Sequence, residues 1–173
     1  MSQIQALRGR LEAPGGEGPA GADVSQTTVA DLAQALGSGP PVVRWHAAAA
    51  LAERGAVEVL MEALSHLEEA TRSAAIEGLG RVGPQARAAV PALVASLGDQ
   101  TQGVRLLALI ALGKIGPGAG EAVPALCEVL KAPSAGLRAR AVHTLAHIGP
   151  AARDAVPALR EALHGQDLRG DVL

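Results

Sequence analysis

The sequence predicts an all-α protein, a right-handed α-solenoid (superhelix) of about four and a half stacked helical hairpins. Three observations predict it. The phrase "AVPAL" occurs at residues 89–93, 122–126 and 155–159, which sets Val90, Val123 and Val156 33 residues apart. Between these anchors the apolar residues recur at helical spacing rather than in alternation. Apolar residues make up 49% of the chain, yet they include one Trp and no Phe or Tyr. The core must therefore be packed from Ala, Leu, Val and Ile, a mix that suits closely approaching helices better than the pleats of a sandwich or barrel.

Taken in order, residues 1–24 form an arm ahead of the repeats. Its stretch 13–22, "APGGEGPAGA", has the composition of a flexible linker. Before it, Ile4, Leu7 and Leu11 fall on one helical face, so residues 1–12 read either as a short capping helix or as a disordered arm. The repeat domain spans 25–165, and 166–173 is a C-terminal tail. Two further copies lack the proline: Val29 opens "VADLAQAL" and Val57 opens "VEVLMEAL". Four of the valines are followed fifteen residues later by an arginine, namely Arg44, Arg72, Arg105 and Arg138. Val29 and Val57 are only 28 apart, a five-residue deletion placed in the turn 54–57, because loops tolerate length changes that helices do not.

Each unit holds two helices. The first is expected to begin one residue before the arginine. Its apolar stripe in the third full copy reads Val104, Ala108, Leu109, Leu112 and Ile115. Gly83-Pro84, Gly116-Pro117 and Gly149-Pro150 end it, since glycine takes a left-handed cap and proline cannot continue the helix. The second helix carries Pro91, Pro124 or Pro157 in its first turn, where a missing N–H costs nothing. Its stripe reads Val90, Leu93, Val94 and Leu97. Ala52, Gly80, Gly113 and Ala146 are the small residues expected where helices approach closely. The column four after the valine reads Ala33, Met61, Val94, Cys127 and Arg160, and the charged last member marks the end of the stack, which has no neighbour to cover it.

A 33-residue period also suits ankyrin and tetratricopeptide arrays. The Thr-Pro-Leu-His phrase of the first is absent, and the aromatic packing positions of the second have no counterpart. The stretches "VRLLALIALGKIGP" and "AVPALCEVL" resemble the HEAT-repeat family, specifically the short HEAT-like repeats of the phycobilisome (PBS) lyase type. The resemblance covers about residues 24 to 164. It implies an armadillo-like stack, and for function it implies a chromophore (bilin) lyase-like subunit or a HEAT-like DNA-binding or repair protein as alternatives to a scaffold.

Composition narrows these. The net charge is −2 and the sequence pI is near 6.2, a poor basis for holding nucleic acid or an anionic membrane. A repair glycosylase would want a basic groove with aromatic residues to stack on bases. A tetrapyrrole would want an apolar groove, and aromatics are scarce. The most apolar stretch, 106–112, falls well short of the ~20 residues of a membrane-spanning helix. Cys127 is the only cysteine, so no intrachain disulfide can form. With no secretory signal read at the N-terminus, a cytoplasmic location is expected.

No phosphate loop, nucleophile elbow or paired-carboxylate motif occurs. No catalytic residue, cofactor or metal is therefore expected, and the chain reads as a non-catalytic protein-interaction scaffold. The arginine column (Arg44, Arg72, Arg105, Arg138) reads as structural, its guanidinium groups bonding carbonyls at the end of the preceding helix. Pro91, Pro124 and Pro157 are structural too. His143 and His147 share a helix face with Arg140; the spacing fits a metal pair, but the cation and the lack of a third ligand favour a solvated face. HEAT-like iron hydroxylases carry His-Glu dipeptides, which no histidine here forms. Cys127 falls in an apolar column and reads as a buried small hydrophobe.

Two surfaces are candidates for a protein partner. On the second helices, the column five after the valine reads Gln34, Glu62, Ala95, Glu128 and Glu161, a mildly acidic groove for a basic or polar segment. On the first helices, Leu107 and Ile110 interrupt an otherwise polar outer face. With Leu106 and Trp45 beside them they would form an exposed apolar patch for docking or self-association.

Overall fold

The structure, a computed structural model, describes residues 27–167, with side chains through 162. The N-terminal arm, with its alternative capping helix, and the tail residues 168–173 lie outside the described residues. Among those described there is no strand. The helices are α1 (Val29–Ser38), α2 (Pro41–Glu53), α3 (Val57–Glu62), α4 (Glu69–Val82), α5 (Val90–Ser96), α6 (Gln102–Ile115), α7 (Val123–Val129), α8 (Ala135–Ile148) and α9 (Val156–Asp167). They fall into two compact units, Met1–Val82 and Gly83–Leu173.

In the first unit, α2 lies against α1 and α4, and α3 closes onto α4. α1 starts on a capping box: the Thr28 hydroxyl accepts from the Asp31 N–H, and Asp31 accepts from the Thr28 N–H. Within a helix, α4 approaches its neighbours closely at Gly78, where a Cβ would come within 2.9 Å of a Leu60 methyl and 3.1 Å of the Ala48 carbonyl oxygen. This corrects the expected column of small residues. Of Ala52, Gly80, Gly113 and Ala146 only Gly80 is buried, and Ala146 is exposed.

In the second unit, α6 packs on α8, α5 on α6, and α7 on α8. The expected stripe of α6 is the core: Val104, Ala108, Leu109, Leu112 and Ile115 are each fully buried. Each such Leu or Ile is worth about 1.5–3 kcal/mol relative to exposure. On α5, Val90 and Leu93 are buried, while Val94 and Leu97 are half-covered.

The first helices begin two residues earlier than expected, at Pro41, Glu69, Gln102 and Ala135. The caps decide this. Thr101 and Ser134 hold extended backbone before α6 and α8, and the Ser134 hydroxyl accepts from the Leu137 N–H. The Gly-Pro stops also hold more than a cap. Gly83, Gly116 and Gly149 each open a seven-residue segment of 3₁₀ turns, Gly83–Ala89, Gly116–Ala122 and Gly149–Ala155, the first two kinked at Ala86 and Ala119. Gly116 has φ 69°, ψ −135° and Gly149 φ 67°, ψ −134°. The φ is positive, but the ψ lies far from the left-handed helical cap, in a region close to the one that only glycine enters readily. Buried alanines (Ala86, Ala89, Ala119, Ala122, Ala152, Ala155) let each segment lie against the next. In the short copy Gly55, also at positive φ, is followed directly by Ala56 and Val57, so the deletion removes the 3₁₀ segment. Pro91 and Pro124 sit in the first turns of α5 and α7, as does Pro157 in α9.

Candidate functional site

Arg105 Nη1 donates to the Asp99 and Gln100 carbonyls at 2.6 and 3.2 Å. Arg138 Nη1 donates to those of Ala132 and Pro133, both at 2.8 Å. Arg72 Nη1 does the same with His66 and Leu67, both at 2.9 Å. In each case the guanidinium clamps the turn that precedes its own helix. Arg44 differs. As buried as Arg72, it donates from Nε to the Gly39 carbonyl at 2.6 Å but from Nη1 to the Thr71 hydroxyl at 2.8 Å, and it pairs with Glu68. The hydrogen bond from Arg44 holds the Glu68 carboxyl below the usual carboxylate range.

On the second helices, Gln34, Glu62, Ala95, Glu128 and Glu161 are all exposed. Within the second unit, Lys131 Nζ pairs with Glu128 at 2.9 Å. Lys131 is raised above its ordinary value, first by the hydrogen bond to Glu128 and the charge of Glu128, with Glu161 contributing as well. Glu128 holds that ammonium directly, and Glu161 is exposed on the next second helix. In the same region Cys127 is half-buried rather than buried, which amends the expectation for it; burial, then the Glu128 charge, pushes its thiol up.

The outer patch also needs correcting. Leu106, Leu107 and Ile110 are half-buried, not exposed, and Trp45, likewise half-buried, belongs to the Met1–Val82 unit. Ile110 instead lines a groove of about 190 Å³ between α6 and α8. Its inner wall is Leu109 and Thr144, whose hydroxyl donates to the Leu109 carbonyl at 2.8 Å and so ties the two helices together. Lys114, Arg140, His143 and His147 line it as well, all exposed. The sequence places the last three on one face; the α6 contribution of Gly113 and Lys114 is legible only once α6 and α8 are known to pack. His147 Nδ1 lies 2.8 Å from the His143 carbonyl. That oxygen can only accept, so Nδ1 carries the proton. No group of three or more His, Cys, Asp or Glu able to hold a metal occurs among the described residues. A groove of this size lies below the ~300–1,000 Å³ of small-molecule sites, and a tetrapyrrole would not fit it.

Gln102–Val129 is long and apolar enough to cross a membrane by length and composition, but Gly116 interrupts it and 56% of the most apolar window is buried.

Comparison with known proteins places these features. A family model of HEAT repeats matches residues 29–113, 57–130 and 90–171. No curated protein matches the chain. The crystal structure of an engineered protein is similar with 25% identity and a TM-score of 0.60, over 92% of this chain and 46% of that one. The archaeal HEAT-like repeats protein from Thermococcus onnurineus NA1 is similar with 19% identity and a TM-score of 0.53, over 71% of this chain and 52% of that one. A designed armadillo repeat protein in complex with the peptide (KR)4 has 20% identity and a TM-score of 0.54, over 93% and 70%. This chain thus spans about half the length of the first two structures.

Proposed function

Since the chain belongs to the HEAT-repeat family, we propose that it is a non-catalytic interaction scaffold whose second helices offer an acidic column to a basic protein segment. The observation that carries this reading is that Glu128 and Glu161 are both exposed on the second helices of the second unit, while Lys131 pairs with Glu128 alone. Glu62 presents the equivalent carboxylate in the first unit. Exposed carboxylates repeated on successive second helices are groups that a Lys or Arg of a partner can meet. A rigid helical surface adds little ordering cost of its own. The fold likeness to a designed protein seen with an alternating Lys-Arg peptide supports the same class of occupant.

The test is fluorescence anisotropy of a labelled (Lys-Arg)4 peptide with the full chain at low and physiological salt. Glu128→Lys/Glu161→Lys is expected to weaken binding at least about tenfold, or ~1.4 kcal/mol. Lys131→Ala is expected to strengthen it. Equal affinity for all three proteins would remove the acidic column from the account.

A further inference from the structure

We propose that the groove between α6 and α8 is a second binding site, of opposite charge, that takes an acidic protein segment bearing an aliphatic side chain. Four features of the groove argue for it. Lys114 reaches it from α6 and Arg140 from α8, so two cations border one opening. Among the described residues, neither is in an ion pair with a carboxylate. A protein of net charge −2 that leaves two neighbouring cations unneutralised has a local field opposite to its overall one. The interior between those cations is apolar: Ile110 lies half-buried beside the fully buried Leu109.

Gly113 lines the groove and puts no side chain into it. A Cβ built there would sit 3.7 Å from the Thr144 Cα and 3.9 Å from the His147 Cβ, in ordinary contact. The glycine is thus not required by packing or by its backbone. Its consequence is the open space that a side chain would start to fill. That space, about 190 Å³, suits one aliphatic side chain and not a cofactor. The chemistry that matches is a Leu or Ile seated over Ile110 with flanking Asp or Glu carboxylates on Lys114 and Arg140. Arg140 can take a carboxylate in a bidentate grip. The site differs in helices, charge and occupant from the acidic column and stands whether or not that column binds a basic segment.

The experiment uses the full chain and a fluorescein-labelled octapeptide of alternating Glu and Leu, with an alternating Lys-Leu peptide as control. The Glu-Leu peptide is expected to bind and the control to bind at least tenfold more weakly at this site. Lys114→Glu/Arg140→Glu, at exposed positions, should weaken the Glu-Leu peptide at least tenfold. Gly113→Leu should weaken it by blocking the space while keeping both charges. Glu128→Lys/Glu161→Lys should leave it unchanged. No binding of the Glu-Leu peptide, or equal binding after charge reversal, overturns the proposal. So does tighter charge-dependent binding of a single-stranded oligonucleotide, or a concentration-dependent dimer on gel filtration that the charge reversal abolishes, since the groove would then serve another occupant.

Discussion

Arg44 and Arg138 hold the same place in their helices, four residues into α2 and α8, and are set in different sockets. Arg138 is half-buried, and its bonds reach only the carbonyls five and six residues back. Arg44 is buried and joins three places at once: the Gly39 carbonyl at the end of α1, the Thr71 hydroxyl on α4, and the Glu68 carboxylate before α4. Thr71 Oγ1 in turn lies 3.3 Å from the Leu36 carbonyl, so α1, α2 and α4 meet at this one guanidinium. A repeat period transmits the local clamp from copy to copy. It does not transmit what surrounds the clamp, because that depends on residues such as Thr71 and Glu68 that occur in one copy.

The largest expected effect tests this contrast directly. Arg44→Met leaves the Gly39 carbonyl and the Thr71 hydroxyl without their donor inside the first unit, and should cost about 2–3 kcal/mol. Arg138→Met loses two partly solvated bonds and should cost about 1 kcal/mol. Urea denaturation of both variants measures the difference. Equal losses would mean that the column is uniform and that the Arg44 network adds nothing.

The glycine column supplies the opposite case. Gly116 and Gly149 share their backbone angles to within a few degrees, so there the period does carry the whole geometry. Gly116→Ala and Gly149→Ala should each lose about 1–3 kcal/mol, in similar amounts, from forcing a side chain into that region. Gly113→Ala, three residues before Gly116, should instead gain up to about 1 kcal/mol, since its backbone is helical and its Cβ has room. A loss at Gly113 as large as at Gly116 would show that the groove is filled by something that the alanine displaces.

These cases also mark how far the sequence could be read. The all-α repeat and the buried stripe from Val104 to Ile115 follow from spacing, because spacing reports which face of a helix is covered; the arginine acceptors, expected at the end of the preceding helix, lie instead in the turn beyond it. The 3₁₀ segments did not follow. Nothing in "GPQARAA" shows that its alanines pack against "GPGAGEA" until the chain is folded. The close approach at Gly78 was not legible because it is set by where Leu60 and the Ala48 carbonyl lie. The half-burial of Leu107 and Ile110 is hidden from the sequence for a related reason. Ile110 faces the α6–α8 groove, and a column chosen on α6 alone cannot show what α8 covers.

Acid sharpens the Arg44 comparison further, with a smaller effect. Glu68 titrates below its ordinary value in the folded chain because Arg44 bonds its ionised form. The unfolded chain therefore takes up the proton first as pH falls. The pair's contribution is present above the ordinary value of 4.5 and is lost as pH drops through the lowered folded value. Glu68→Gln should remove that part of the acid dependence of the melting temperature between about pH 6 and pH 3. Because Glu68 is itself largely exposed, the change should be modest. Arg138→Gln, with carbonyl acceptors that do not titrate, should shift the melting curve by the same amount at every pH in that range.

The smallest effect concerns the second helices, where Cys127 and Arg160 occupy one column. Cys127 on α7 is half-covered, and α7 packs on the following segment Gly149–Ala155; Arg160 on α9 is exposed. Burial and the adjacent Glu128 both disfavour the Cys127 thiolate, with Lys131 opposing them weakly. The thiolate is the reactive form, so a disulfide reagent at pH 8 should label Cys127 more slowly in the folded chain than in urea. Glu128→Gln should speed the folded reaction by a factor of about two to three, since only the lesser of the two causes is removed. An unchanged rate would mean that burial alone sets the thiol and that the Glu128 charge is spent on Lys131. In that case the acidic column would offer a partner less than its exposed carboxylates suggest.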